Sequence, residues 1–166
     1  LDAAGFKARP KSPALQWALR EQGPDVRIVS EAMAGQLAKN LGIRVELRTM
    51  EWRAFLEKRN RKELAFYHNS WYADYLDPQN FLSFLFTTGV PQNAFGYSSA
   101  RVDALCREAD ADADQAHRLA LYAQAEDQIL QDAPWIPLYF AREALLVRKG
   151  VEIETNLFGY LPHTGT

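Results

Sequence analysis

Apolar and polar residues alternate over residues 14–21, with Leu15, Trp17 and Leu19 on one side and Gln16, Ala18 and Arg20 on the other. That is the period of a β-strand. The Gln22-Gly23-Pro24-Asp25 run supplies turn chemistry. Val29, Ala32, Met33, Leu37 and Leu41 then recur at helical spacing, and Gly42 stands where a helix is closed by glycine. Residues 43–49 alternate cleanly and predict a second strand. Trp52, Phe55, Leu56 and Arg59 mark one face of a short helix, and residues 64–70 predict a third strand. Strand, helix, strand, helix, strand is the order of a parallel sheet with right-handed crossovers.

Downstream the alternation stops. Asp77-Pro78 forces a turn, and the apolar, aromatic residues 79–88 predict a helix because their spacing is not strictly two. After a loop over residues 89–96, Ser98 or Ser99 is placed to cap a helix carrying Val102, Leu105, Cys106 and Ala109 on one stripe. Residues 110–114 form a polar break. A long helix follows over residues 115–131, with Leu119, Tyr122, Ala123, Glu126, Ile129 and Leu130 near one face, and Pro134 ends it. Residues 135–149 predict one or two further strands. From Glu152 onward there is no pattern.

Composition narrows the class. With 166 residues, a net charge of -2 and 48% hydrophobic residues, the chain has the profile of a globular domain. The near-neutral charge argues against a nucleic-acid binder. No apolar run reaches the ~20 residues of a membrane-spanning helix. A single cysteine, Cys106, excludes an internal disulfide framework. The opening residues 1–6 read as the end of a helix with its glycine cap, so the expectation is a piece of a longer or processed protein.

Few constellations carry chemistry. GxGxxG, HExxH and CxxC are absent, and His68, His117 and His163 are far apart in sequence. Asp110-Ala-Asp-Ala-Asp114 imitates the first half of a calcium loop, but Gln115 and Leu121 occupy the places of its glycine and its bidentate glutamate. Acidic residues opening the next helix are the better account. Gly96-Tyr-Ser-Ser-Ala100 lacks the second glycine of a nucleophile elbow, which leaves its serines as helix caps.

The densest segment is residues 68–78, His-Asn-Ser-Trp-Tyr-Ala-Asp-Tyr-Leu-Asp-Pro, at the carboxyl end of the third predicted strand. Ligands bind at that edge of open α/β sheets. Aromatic rings beside a carboxylate suit an ammonium group, through a π face and a charge-assisted hydrogen bond. The same residues also fit a plainer account, with Trp71 and Tyr75 in the core and Asp77 capping the turn before Pro78. An acid/base pair of Asp74 and Asp77 is a third option, one without an evident partner.

Residues 70–81, Ser-Trp-Tyr-Ala-Asp-Tyr-Leu-Asp-Pro-Gln-Asn-Phe, resemble the W-x-x-D-x-x-D-P-x-x-F signature of the oligopeptide- and dipeptide-type solute-binding proteins of family 5, which serve ABC importers. Leu41-Gly-Ile-Arg-Val-Glu-Leu47 with Glu51-Trp52 resembles their strand–helix junction. Residues 93–109, 118–126, 133–139 and 147–149 follow the family's later run in order.

The resemblance implies an α/β fold, one lobe of a type II periplasmic-binding-protein-like (flytrap) architecture, with a mixed sheet flanked by helices. Residues 1–140 would form the second-lobe ligand-binding domain, and residues 141–166 the return segment toward a first lobe outside this sequence. It further implies a non-enzymatic, periplasmic or extracytoplasmic protein, with or without a lipid anchor. Such a protein captures a peptide or related amine-bearing solute and delivers it to an ABC permease. No cofactor, metal or nucleic acid is implied. Asp74 falls on the aspartate that holds a peptide's α-ammonium, and Trp71 and Tyr72 fall where the groove is lined. His68 falls where some members place a polar ligand-facing group. Arg20 lies near the arginine with which dipeptide-type members hold a ligand carboxylate; its alternative is a solvated strand-end charge. Members also take nickel complexes, sugars, opines and glutathione. The same fold could serve as the sensing domain of a regulator, and what precedes Leu1 discriminates the two.

Overall fold

A computed structural model describes residues 13–20, 24–141 and 146–150. They divide into two compact units. One holds the residues up to Trp71 together with Pro91–Gly96; the other holds Tyr72–Val90 and the residues from Tyr97 onward.

The first unit is built on two parallel strands, β1 (Leu15–Arg20) and β2 (Val45–Met50), joined by α1 (Pro24–Leu41). Leu15 pairs with Val45 and Arg20 with Met50. On one face Trp17, Leu19 and Val26 form a buried cluster, with Met33, Val45, Leu47 and Phe66 packed against it. The helix α2 (Trp52–Asn60) serves the opposite face. Consecutive strand residues point to opposite sides, so Tyr67 faces away from Phe66, and its ring meets the edge of the fully buried Phe55 at 5.8 Å. Glu51 caps α2 by accepting the N–H groups of Arg53 and Ala54. Those backbone donors hold its carboxyl below the usual range. Gly42, at φ 66, ends α1 by donating its N–H to the Ala38 carbonyl, as the glycine spacing predicts.

The third predicted strand is reduced to one parallel bridge, Ala18 to Tyr67, made by two backbone bonds of 2.9 Å. β1 is therefore the middle of the sheet. That explains why Trp17, Ala18 and Leu19 are all buried although their pattern alternates.

The second unit is helical. Its α4 (Ala100–Ala111) and α5 (Gln115–Asp132) pack against each other through Val102, Cys106 and Ala109 on one side and Leu121, Tyr122, Ala125 and Ile129 on the other. Ser99 caps α4 and Asp114 caps α5 with side-chain oxygens. The buried face of α5 is rotated from the predicted stripe: Leu119 and Leu130 are exposed, whereas Leu121 and Ala125 are buried. The predicted polar break is also shorter, because α4 continues through Ala111. Residues 79–88 do not form one helix. A 3-10 turn (Pro78–Asn80) is followed by a single helical turn, α3 (Ser83–Phe86). Phe86 packs on Trp135 at 4.7 Å and on Tyr97 at 6.2 Å. No strand forms among the described residues of 135–149; residues 142–145, like those from 151 on and the predicted helix end at 1–6, lie outside the described part.

Candidate functional site: a strand-end shelf and a clamped loop

Arg20 is the last residue of β1, and residues 68–70 follow the bridge that lies beside it, so both segments end at the carboxyl edge of the sheet. The Arg20 guanidinium lies over the indole of Trp52, 4.8 Å from the ring centroid, and donates to Ser70 Oγ at 3.1 Å. Trp52 is itself stacked on the buried Phe55, 6.0 Å between centroids and 13° between planes. A half-buried arginine is thus fixed in place by an aromatic shelf and a hydroxyl. This is not the solvated strand-end charge of the plainer account.

His68 belongs to the same unit and is 6% exposed, with no hydrogen-bond partner at Nδ1. Burial pushes its pKa down; the positive charge of Arg20 adds to this, and Asp25 opposes it. At neutral pH it is an uncharged imidazole with an unused buried nitrogen. Trp71, also of this unit, is half-buried.

In the second unit Tyr72 is 53% exposed and Asp74 is exposed. The Asp74 N–H donates to Oδ1 of Asn80, which is 1% exposed. Tyr75 is 40% exposed and donates from its hydroxyl to Gln79, so it is not a core residue.

Asp77 caps the turn before Pro78, accepting the Gln79 N–H at 2.9 Å. Both its oxygens also accept from Arg118, at 2.6 and 2.7 Å. The guanidinium hydrogen bonds hold the Asp77 carboxyl below the usual range, which fits an acceptor rather than one half of an acid/base pair. Arg118 further donates to the Ala109 carbonyl and to Tyr122 Oη, and its guanidinium lies 5.0 Å from the centre of the Tyr122 ring. Tyr122 donates to Asp110 at 2.5 Å, and Ser83 donates to the same oxygen at 2.9 Å.

The acidic run is occupied in the same way. Asp110 serves Tyr122 and Ser83, Asp112 accepts the Asp114 N–H and meets His117, and Asp114 caps α5. Among the described residues no group of three or more His, Cys, Asp or Glu could hold a metal ion, and no helix is long and apolar enough to cross a membrane.

The partners that fix these groups were missed from sequence. Trp52 and Ser70 stand inside segments singled out for other reasons. Arg118 lies 41 positions from Asp77, and no local pattern links them.

Comparison with known proteins places the chain in a wider group. The family described as "Bacterial extracellular solute-binding proteins, family 5 Middle" matches residues 1–93. The dipeptide-binding protein DppE of Bacillus subtilis is 34% identical over 139 residues, 83% of this chain and 25% of that protein. A probable deoxycholate-binding periplasmic protein, YgiS of Escherichia coli, is 38% identical over 109 residues, 66% of this chain and 20% of that one. The solved structure of the periplasmic binding protein DppA of Helicobacter pylori, in complex with the peptide STSA, superimposes with a TM-score of 0.71 at 31% identity. That superposition covers 82% of this chain and 27% of that one. The chain therefore spans about a quarter of the length of the relatives it matches.

Proposed function

The chain belongs to the bacterial extracellular solute-binding proteins of family 5, and on that premise we propose that it supplies ligand-binding surface to the substrate-binding component of an ABC importer. The ligand is a short peptide or a related solute with a free amine. It is captured reversibly and not transformed, outside the cytoplasm, and handed to a membrane permease. Closure follows from a ligand that contacts both lobes.

The observation that carries this reading is the Arg20 shelf. A guanidinium fixed over Trp52 and bonded to Ser70 stands at the carboxyl edge of the sheet, where ligands bind in open α/β folds. Arg20 is assigned to a ligand carboxylate and the exposed Asp74 to a ligand ammonium. Trp71 and Tyr72 contribute apolar and π surface. The peptide named in the DppA complex and the dipeptide in the name of DppE support a peptide over other solutes.

Calorimetry on the full natural chain tests this with trialanine, its N-acetylated form and its C-terminal amide. Arg20→Met should weaken trialanine by roughly tenfold or more, the size of one charge-assisted hydrogen bond, and leave the amide unaffected. Asp74→Ala should do the same with respect to the acetylated form. Deoxycholate is the contrasting probe, since it has a carboxylate and no amine. Tight deoxycholate binding with none of trialanine would overturn the peptide reading and the role of Asp74 together.

A further inference from the structure

We propose that Arg118 is a positioning residue for ligand binding: by gripping Asp77 it fixes the loop of residues 72–80 and thereby sets where the Asp74 carboxylate stands. This rests on the reading of Asp74 as the acceptor of a ligand ammonium. Every residue involved lies in the second unit.

The loop has little regular structure of its own. Tyr72, Asp74, Tyr75 and Leu76 are all exposed, and its one ordered turn is the 3-10 turn Pro78–Asn80. A loop of that kind is held by what it is tied to. It is tied at one end by Asp77, whose two oxygens meet the two terminal nitrogens of Arg118, with side chains only 29% and 21% exposed. At the other end, Asn80 is buried and its Oδ1 accepts the Asp74 N–H at 3.2 Å. Between them, Asp77 Oδ1 accepts the Gln79 N–H and the Asp77 carbonyl accepts the Asn80 N–H. A continuous run of hydrogen bonds thus leads from α5 to the backbone of Asp74.

Arg118 is well suited to anchor that run. Its Nε donates to the Ala109 carbonyl in the last turn of α4, and the Tyr122 ring packs on its guanidinium. Those contacts come from both long helices, so the fork is aimed before the loop meets it. Lysine could supply the charge but not the bidentate fork.

The test uses the full natural chain. The readout is the ratio of trialanine affinity to N-acetyl-trialanine affinity, together with hydrogen exchange at the Asp74 amide. R118K should shrink the ratio about tenfold, a loss comparable to one misdirected charge-assisted bond, and should speed exchange at Asp74 ahead of the amides of α4. Val102→Ala, a cavity variant in the core of the same unit, should lower Tm at least as far as R118K does and leave the ratio unchanged. In an Asp74→Ala background R118K should have no further effect on the ratio. If Asp74→Ala itself leaves the ratio intact, the ammonium reading and this inference both fall. If Asp74→Ala abolishes the ratio while R118K preserves it, or if Asp74 exchange is unchanged in R118K, only the role of Arg118 is overturned.

Discussion

His68 is buried and uncharged in the first unit, whereas His117 lies at the start of α5, 2.5 Å from Asp112. Burial lowers the pKa of His68, and the hydrogen bond with Asp112 raises that of His117. An unfolded histidine titrates near about 6.5. Between that value and its lowered folded value, the unfolded state binds more protons at His68, so its contribution is full above about pH 6.5 and is lost as pH falls. The His117 contribution has the opposite sign. It is full below about pH 6.5 and is lost as pH rises through the raised folded value, while Asp112, itself lowered by His117, must stay ionised. Melting temperatures at pH 5.5 and 8.5 should therefore separate two variants. His117→Gln should cost more stability at pH 5.5 than at pH 8.5, and His68→Gln should reduce the acid sensitivity of the wild-type protein. Equal losses at both pH values for His117→Gln would dispose of the ion pair. Sequence could not have sorted these histidines, because a residue's pKa is set by burial and by partners that the fold supplies. The same holds for Arg20 and Asp77: their residue types and strand-end or turn positions were legible, but the indole under one and the guanidinium on the other were not.

At the scale of elements, α2 ends in a full Schellman motif with lysine in the place of glycine. Lys62 has φ 59; its N–H donates to the Arg59 carbonyl, and the Glu63 N–H reaches back to that of Lys58. A side chain in the left-handed region is strained, and glycine is not. Lys62→Gly should therefore stabilise the chain by about 0.5–1 kcal/mol, the strain relieved exceeding the added freedom of the unfolded chain. Urea denaturation reads this directly, and a lower midpoint for the variant would refute it. Where a rule of this kind is local, the sequence was readable: Gly42 ends α1, Ser99 caps α4, and β1, α1, β2 and α2 all appear near their predicted places. Where elements depend on neighbours it was not. The third strand shrank to one bridge at Tyr67 because strand pairing needs a partner's register as well as an alternating pattern. The buried face of α5 turned from Leu119 and Leu130 to Leu121 and Ala125 because packing on α4, not the wider apolar stripe, decides which side is covered.

Over the whole molecule, the order of motifs was legible because each reflects a local demand, and their sequence along the chain identifies the family where no single residue would. The run after α5 was misread for the converse reason. Its composition, rich in Ile, Leu, Val and aromatic residues, predicts strands, yet its described residues form none, and past Trp135 several apolar side chains face outward. Ile136 is 57% exposed, Phe140 98% and Leu146 104%. Residues that touch so little contribute little to folding, but they expose apolar surface that water disfavours. The 166-residue chain produced by itself should consequently self-associate and bind a hydrophobic dye. Replacing both Phe140 and Leu146 by serine should suppress association in sedimentation equilibrium, while Tm changes by no more than about 0.5 kcal/mol would produce. A large fall in Tm for the double variant would mean instead that these side chains are covered within the chain in solution, and that the outward-facing arrangement is not the one the molecule adopts.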